Sequence, residues 1–498
     1  MTNHPQRWTV LALLGGVALL AGAVFATIRN GLTDDAYITL DYARNLAFHG
    51  HWGIIGEEVA NSATSPLNVI ALTAFTAVLR QPVLALGVVF VLANVVFAYA
   101  PHESAEHSRL SPFGGLLATL LLLTNPLLLS TVGLEMTLAA ALLGLLLLAT
   151  VQQRRVFFGV VVGLLALTRL DLGVLVLLIL IGRPSLWWEW WKWALPAGFV
   201  GLPWFVFSWF ALGSAVPDSL VMKQLQDQWG EYSFANGLDL YYSVYPAATV
   251  ASVSAAALGL VALPIWLVAR LSRRAGPRDL HPWALFGIGG AAHFYVYTLL
   301  GVPPYHWYYA SSMIGPTIFL AGAIGAVVGA YTATRLTRPL LLAAVAVAAG
   351  LGVLAAQGRF PVEHGAPWHR APIMANWAPP SDYARVGGMV GAIGGDSAVR
   401  SPGEIGVLAY FCDCAVVDGF SDRGYLADQI EQRVSEAHPA TRWLLKLNYA
   451  HFAPAEPRPV EYTLRSVEGY GPDPRWNADS PWVSPHHFDL ERTGSGQG

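Results

Sequence analysis

The stretch with the clearest chemical potential is "GLTDDAYITLDYARNLAFHG", which begins at Gly31 after about twenty apolar residues. Asp34 and Asp35 stand together at its start, and a carboxylate within hydrogen-bond reach of a hydroxyl can take its proton. The same pair is also a good helix N-cap, because carboxylates accept the free N–H groups of a first turn. Arg44 follows on the amphipathic segment, and Asn61 with Ser65-Pro66 closes the loop. Further along stand Glu135 in "TVGLEMT", Arg169 and Asp171 in "TRLD", and Asp218 and Lys223 in "VPDSLVMKQ". Tyr305, His306 and Trp307 lie in "PPYHWYY". Arg and Lys can hold a phosphate and neutralise charge growing on it, while aromatic faces suit the C–H surfaces of sugars. Each residue also has a structural reading. Arg169 and Asp171 can pair at a helix end, Glu135 can be a first-turn acid on a helix dipole, and the aromatic run, His306 included, suits an interfacial belt.

The elements that must position these residues are membrane helices. Of the 498 residues 54% are hydrophobic and only 12% charged, about half the charged fraction of a soluble domain, and the mean hydropathy is +0.47. The net charge of −3 excludes little, since charge acts loop by loop in such a chain. Candidate spans are Trp8–Ile28, two apolar runs within Pro66–Ala100, Pro112–Leu129, Val132–Thr150, Val156–Ile181, Trp193–Leu212, Ala247–Arg270, Trp283–Gly301, Tyr308–Ala333 and Pro339–Ala356. That makes about ten or eleven passes at the roughly 20 residues a span needs. Basic clusters at Arg154-Arg155, Arg270–Arg278 and Arg335–Arg338 are expected on the cytoplasmic side. The external loops 29–65 and 213–246, the "TVGLEMT" and "PPYHWYY" segments and the C-terminal tail then share the outer face. Val156–Ile181 must return to its starting side as a short hairpin, with "TRLD" near the outer tip. Acids, bases and aromatics thus gather on one side of an apolar bundle, and that shared sidedness is a stronger signal than any single residue.

Composition divides the chain into an expected membrane module, 1–356, and an expected extracytoplasmic α/β domain, 357–498. In the latter "SDYARVGGMVGAIGG" and "GEIGVLAYF" read as helices, "SAVRS" and "AVVDGF" as strands, and "RTGSGQG" as a disordered tip. The N-terminal apolar stretch exceeds the roughly 7–15 residues of a signal-peptide core, so a retained first helix is expected. Cys412 and Cys414 are the two cysteines. Neighbours on one strand face do not meet in standard disulfide geometry, so two ordinary thiols are expected, with a strained redox pair as the alternative.

No G-x-x-x-x-G-K-[ST] run or strand-borne G-x-G-x-x-G occurs, so no nucleotide cofactor is expected; no nucleic-acid partner is expected either. A membrane transferase working outside the cell has no cytosolic nucleotide sugars to draw on, and a lipid-linked donor follows. The ordered set "DDAYITLDYARNLAFHGHWGIIGEEVANSATSPL", "TVGLEMTL", "ALTRLDLGVL", "SAVPDSLVMKQ" and "GEIGVLAYFCDCAVVDGF" resembles the GT-C superfamily of polyprenyl-phosphate-sugar-dependent membrane glycosyltransferases. Its layout is similar to the actinobacterial terminal arabinofuranosyltransferases of cell-wall biogenesis. "TRLD" stands where that family more often has R-P-E, and "PPYHWYY" where it carries a Gly-Gly-Asp-containing stretch. The resemblance implies Asp34 or Asp35 as general base, Asp34 preferred as the first acid of the loop. It implies Glu135 against the sugars and Arg169 and Lys223, joined by His306, on the donor phosphate. Arg44, Asn61, Asp171 and Tyr305 complete the candidate substrate-binding set. It further implies a plasma-membrane enzyme with an outward-facing site, taking a polyprenyl-phosphate sugar and a cell-envelope glycan. No metal site or cofactor is required, though a divalent cation between a loop carboxylate and the phosphate is compatible with the residues. The rival expectations are a lipid or sugar transporter, disfavoured because no internal repeat is present, and a non-catalytic scaffold with a glycan-binding domain.

Overall fold

Backbone polar groups facing lipid must be satisfied within their own segment, and a helix does this. The computed structural model describes residues 4–493 except 57, 227–228, 273–278 and 335–336. Arg273, Arg274, Arg278 and Arg335 of the basic clusters, the Arg338 side chain and the tip at 494–498 lie outside the described residues. Among those described, six helices are long and apolar enough to cross a bilayer: Arg7–Ile28, Pro82–His107, Trp191–Leu212, Pro246–Leu271, His306–Ala330 and Leu341–Glu363. Shorter apolar helices at Pro66–Leu79, Phe113–Leu123, Met136–Gln152, Arg155–Thr168 and Leu170–Gly182, with His281–Leu299, occupy the other apolar runs.

The runs break where the sequence supplies a stop. The 66–100 region becomes two helices because Arg80 takes a left-handed conformation (φ 59°) and Pro82 starts the next helix. The Pro112–Leu129 run is cut at Asn125-Pro126, where the Asn125 side chain accepts the N–H groups of Leu127 and Leu128. Val156–Ile181 divides at Arg169, whose extended backbone (φ −156°, ψ 111°) ends the helix Arg155–Thr168. A 3-10 turn, Leu170–Leu172, leads into Gly173–Gly182.

The chain forms two compact units. The first comprises Met1–Ile28, Gly87–Gly201 and Tyr232–Ala366. It is a helical bundle whose core holds Phe158, Trp283, Phe286 and Phe319, all fully buried. Its helices approach closely through glycine. A Cβ on Gly259 would lie 2.1 Å from the Pro316 carbonyl oxygen, the kind of contact that small residues permit between membrane helices.

The second unit comprises Arg29–Leu86, Leu202–Glu231 and Pro367–Gly498, so residues expected in two external loops share it with most of the C-terminal segment. Its sheet has the order β2-β1-β3-β5-β4, formed by β1 (Val399–Arg400), β2 (Val416–Val417), β3 (Tyr462–Glu468), β4 (Asn477–Ala478) and β5 (His486–Arg492). β1 runs parallel to β2 and β3, and β5 antiparallel to β3 and β4. The expected helices appear as Pro380–Gly394 and Gly406–Cys412, and the expected strands as β1 and β2.

The cysteines depart from expectation: Cys412 and Cys414 form a disulfide. Strand geometry does not apply there, because Cys412 ends a helix and Asp413 takes a left-handed conformation (φ 53°, ψ 33°). The turn brings the two Cα atoms to 5.1 Å, within the usual disulfide range.

Candidate active site

In the second unit, Thr33 is extended (φ −66°, ψ 158°) and starts the helix Asp34–His49. Asp34 caps a different helix. Its Oδ2 accepts the Gly406 N–H at 2.9 Å and its Oδ1 the Val407 N–H at 2.8 Å, so it satisfies the free donors opening Gly406–Cys412. Only glycine fits at 406, where a Cβ would lie 2.0 Å from the Asp34 carbonyl oxygen. Burial pushes the Asp34 carboxyl up to about 6, its backbone donors pull it down and the Asp35 charge adds to the rise. Asn376 Oδ1 accepts Thr33 Oγ1–H at 2.8 Å and the Asp34 N–H at 3.3 Å. Asn376 Nδ2 donates to Glu404 Oε1 at 2.9 Å. Glu404 also accepts from the Trp377 N–H and the Tyr383 hydroxyl; burial, then the Asp34 charge, pushes it up to about 8.

Asp35 has a different environment. Asp34 is 4% exposed, whereas the Asp35 side chain is 23% exposed and its Oδ1 accepts from Lys223 Nζ at 3.1 Å. Lys223 comes from the short helix Ser219–Gln224. The two sequence-selected groups, a carboxylate and an ammonium 188 positions apart, therefore meet, and the carboxylate keeps access to solvent.

Arg44 and Asn61 are occupied structurally. Arg44 pairs with the fully buried Asp41 at 2.8 Å, donates to the Tyr410 carbonyl at 3.0 Å and lies 4.8 Å over the Tyr410 ring. Burial pushes Asp41 up to about 8 despite Arg44. Asn61 Nδ2 donates to Ser208 Oγ and to the Oγ and carbonyl of Ser214, and its carbonyl accepts the Asp218 N–H. Ser214 Oγ donates to Asp218 Oδ1 at 2.7 Å, and burial pushes Asp218 up to about 7. These residues hold the loops together.

The first unit contains a second polar cluster. Arg169, 4% exposed, donates from Nη1 to Glu135 at 2.8 Å and from Nε and Nη2 to the two oxygens of Asp171 at 2.8 and 3.0 Å. Nη2 also donates to the Tyr297 hydroxyl at 3.1 Å, and the guanidinium lies 5.2 Å over the Tyr308 ring. The sequence placed Glu135, Arg169 and Asp171 on one face, and here they are in contact. It missed His293, whose Nε2 is 2.7 Å from Asp171 and whose Nδ1 is 2.9 Å from Ser312 Oγ. The signal was a histidine in the middle of an apolar helix, a group that is costly at membrane depth without partners. Tyr305 and His306 do not form an exposed belt. His306 is fully buried between the Tyr241 and Trp307 rings, and Tyr305 stacks on Trp307 at 4.5 Å. The turn Pro303–Tyr305 folds them inward, where the Tyr241 hydroxyl donates to the Pro304 carbonyl.

Among the described residues no group of three or more His, Cys, Asp or Glu side chains is arranged to hold a metal ion. The arrangement offers an accessible carboxylate beside a cation, anchored by a buried carboxylate, and separately a buried guanidinium held by two acids.

No protein-family model matches the sequence, and no curated protein matches it. Solved structures do. ArnT from Cupriavidus metallidurans in the apo state matches with a TM-score of 0.55 and 13% identity over 98% of both chains. ArnT bound to undecaprenyl phosphate matches with 0.54 and 14% over 97% of this chain and 98% of that one. The oligosaccharyltransferase of Archaeoglobus fulgidus matches with 0.53 and 12% over 92% of this chain and 69% of that one. The chain has the GT-C fold.

Proposed function

We propose that this chain is an inverting glycosyltransferase that moves a sugar from a polyprenyl-phosphate donor to a hydroxyl of a cell-envelope glycan on the outer face of the plasma membrane. The observation that carries the reading is the end-to-end fold likeness to ArnT, one of whose structures holds undecaprenyl phosphate. A second supports it: an archaeal neighbour is a complex with an inhibitory peptide and a dolichol-phosphate.

In this reading Asp35 accepts the proton of the acceptor hydroxyl. The hydroxyl oxygen attacks the anomeric carbon as the bond from that carbon to the phosphate oxygen breaks, and the bonding pair leaves on the phosphate. One displacement inverts the anomeric centre. Lys223 neutralises the departing phosphate. Motif order favours Asp34 as the base, but its two occupied oxygens suit it to positioning Asp35. The Cys412–Cys414 disulfide supports the outer face, since such bonds persist in oxidising compartments. Arabinofuranose is the first sugar to test, on the order of the motifs. The step as drawn uses the chain's own residues; transfer lost on EDTA treatment and restored by a divalent cation would place a cation between a loop carboxylate and the phosphate.

The test is purified protein in detergent with radiolabelled polyprenyl-phosphate pentoses and hexoses and a cell-wall glycan. Labelled glycan is the expected product. Movement of the lipid across vesicles without a new glycosidic bond would overturn the reading in favour of a transporter.

A further inference from the structure

The helix Pro439–Asn448 in the second unit carries apolar residues on two opposite sides. Leu445 faces inward and is buried with Val221 and Ala437, backed by Val434 and Tyr449. Ala440, Trp443, Leu444 and Leu447 are spaced i, i+3, i+4, i+7, which places them on one helical face. That face is open: Trp443 is 65% exposed, Leu444 56% and Leu447 46%. A soluble surface has no use for such a stripe, and contiguous exposed apolar area marks an interaction site.

What the stripe lies beside indicates what covers it. Trp209 Nε1 donates to the Leu447 carbonyl at 2.9 Å, and the Trp209 and Phe210 rings meet His451 at 4.8 and 4.6 Å. Asn448 Oδ1 accepts the Val216 N–H at 2.8 Å. Trp209 and Phe210 belong to the end of the membrane-crossing helix Trp191–Leu212. In that part of the helix Leu202, Val206, Phe207 and Phe210 are each at least half exposed, as lipid-facing residues are. The stripe is thus continuous with a surface that must already meet lipid. At its edge Lys446 is exposed, where its ammonium can reach headgroups while the stem lies on apolar surface.

We infer that Pro439–Asn448 is an interfacial helix. It lies in the headgroup–acyl boundary of the leaflet into which the Trp191–Leu212 span ends, with Trp443, Leu444 and Leu447 in the acyl region, and so seats the C-terminal segment on the membrane. Helices of this kind sit roughly 5–10 Å into the boundary. The inference rests on the membrane span and not on any catalytic reading.

The test uses nitroxide labels on the full chain in vesicles of phosphatidylcholine and phosphatidylglycerol. Because the two native cysteines are joined, Leu444→Cys, Leu447→Cys, Phe210→Cys and Asp428→Cys can each be labelled without reductant. Phe210 is the lipid reference, and Asp428, exposed on the helix Arg423–Glu436, the water reference. Collision with oxygen relative to a water-soluble nickel chelate should be several-fold higher at 444 and 447 than at 428, and close to that at 210. Chelate accessibility at 444 and 447 equal to that at 428 would overturn the inference. So would spin–spin broadening at 444 that disappears on dilution with unlabelled chain, since the stripe would then be covered by a second copy.

Discussion

Successive residues on a helix point about 100° apart, and Asp34 and Asp35 use that difference. One turns into the protein to cap the Gly406–Cys412 helix, and the other turns out to Lys223. Gly406→Ala should therefore act through Asp34. Its methyl has no room against the Asp34 backbone, and the overpacking should cost about 1–3 kcal/mol, seen as a lower unfolding temperature. The carboxyls of Asp34, Asp218 and Glu404 are all held above their ordinary values by burial. The folded chain binds these protons more tightly than the unfolded chain does. Their contribution to stability is therefore complete below the ordinary carboxyl range and is lost as pH rises through the raised values, up to about 8 for Glu404. Thermal unfolding at pH 9 should come several degrees below that at pH 6, and Glu404→Gln should lessen the difference; a flat profile would contradict this. The sequence made the acid pair visible but not its division of labour. The partners of Asp34 lie some 370 positions away, and no local pattern announces an acid that caps a distant helix.

At the scale of elements, the end of the Arg155–Thr168 helix shows what sequence spacing can and cannot supply. Arg169 and Asp171 were readable as a pair because they are two apart, and Glu135 as a terminal acid. That one guanidinium holds both, with His293 behind Asp171, depends on how Met136–Gln152 and His281–Leu299 pack. Arg169→Ala should leave the buried Glu135 and the half-buried Asp171 without their cation and cost roughly 3–5 kcal/mol, measured as a loss of unfolding temperature. Arg169→Lys keeps the charge without the bidentate fork, so it should recover part of the stability and little of any transfer. Recovery of full activity by lysine would show that only the charge matters. Apolar runs gave the helices, and Pro and Gly gave many of their breaks. The buried "PPYHWYY" turn was not legible, because aromatic residues suit a membrane interface and a packed interior equally well.

Over the whole molecule, apolar runs and the motif order were enough to reach the GT-C fold, which the solved structures share across nearly the full chain. The sequence did not reveal that residues of the 29–65 and 213–246 loops share a compact unit with the C-terminal segment, because that follows from long-range packing. The proposed sidedness predicts that Asp428→Cys in intact cells reacts with a membrane-impermeant maleimide, the native pair being already oxidised. Labelling only after lysis would place the C-terminal segment inside. In the proposed mechanism Asp35 takes the acceptor proton while Asp34 holds it in place. The most direct measurement is transfer from radiolabelled polyprenyl-phosphate sugar by purified Asp35→Asn and Asp34→Asn, with donor binding and unfolding temperature recorded for each. Asp35→Asn should fold normally, bind donor and lose transfer by about 100-fold or more, while Asp34→Asn should lower the unfolding temperature. Transfer by Asp35→Asn at the wild-type rate would contradict the mechanism.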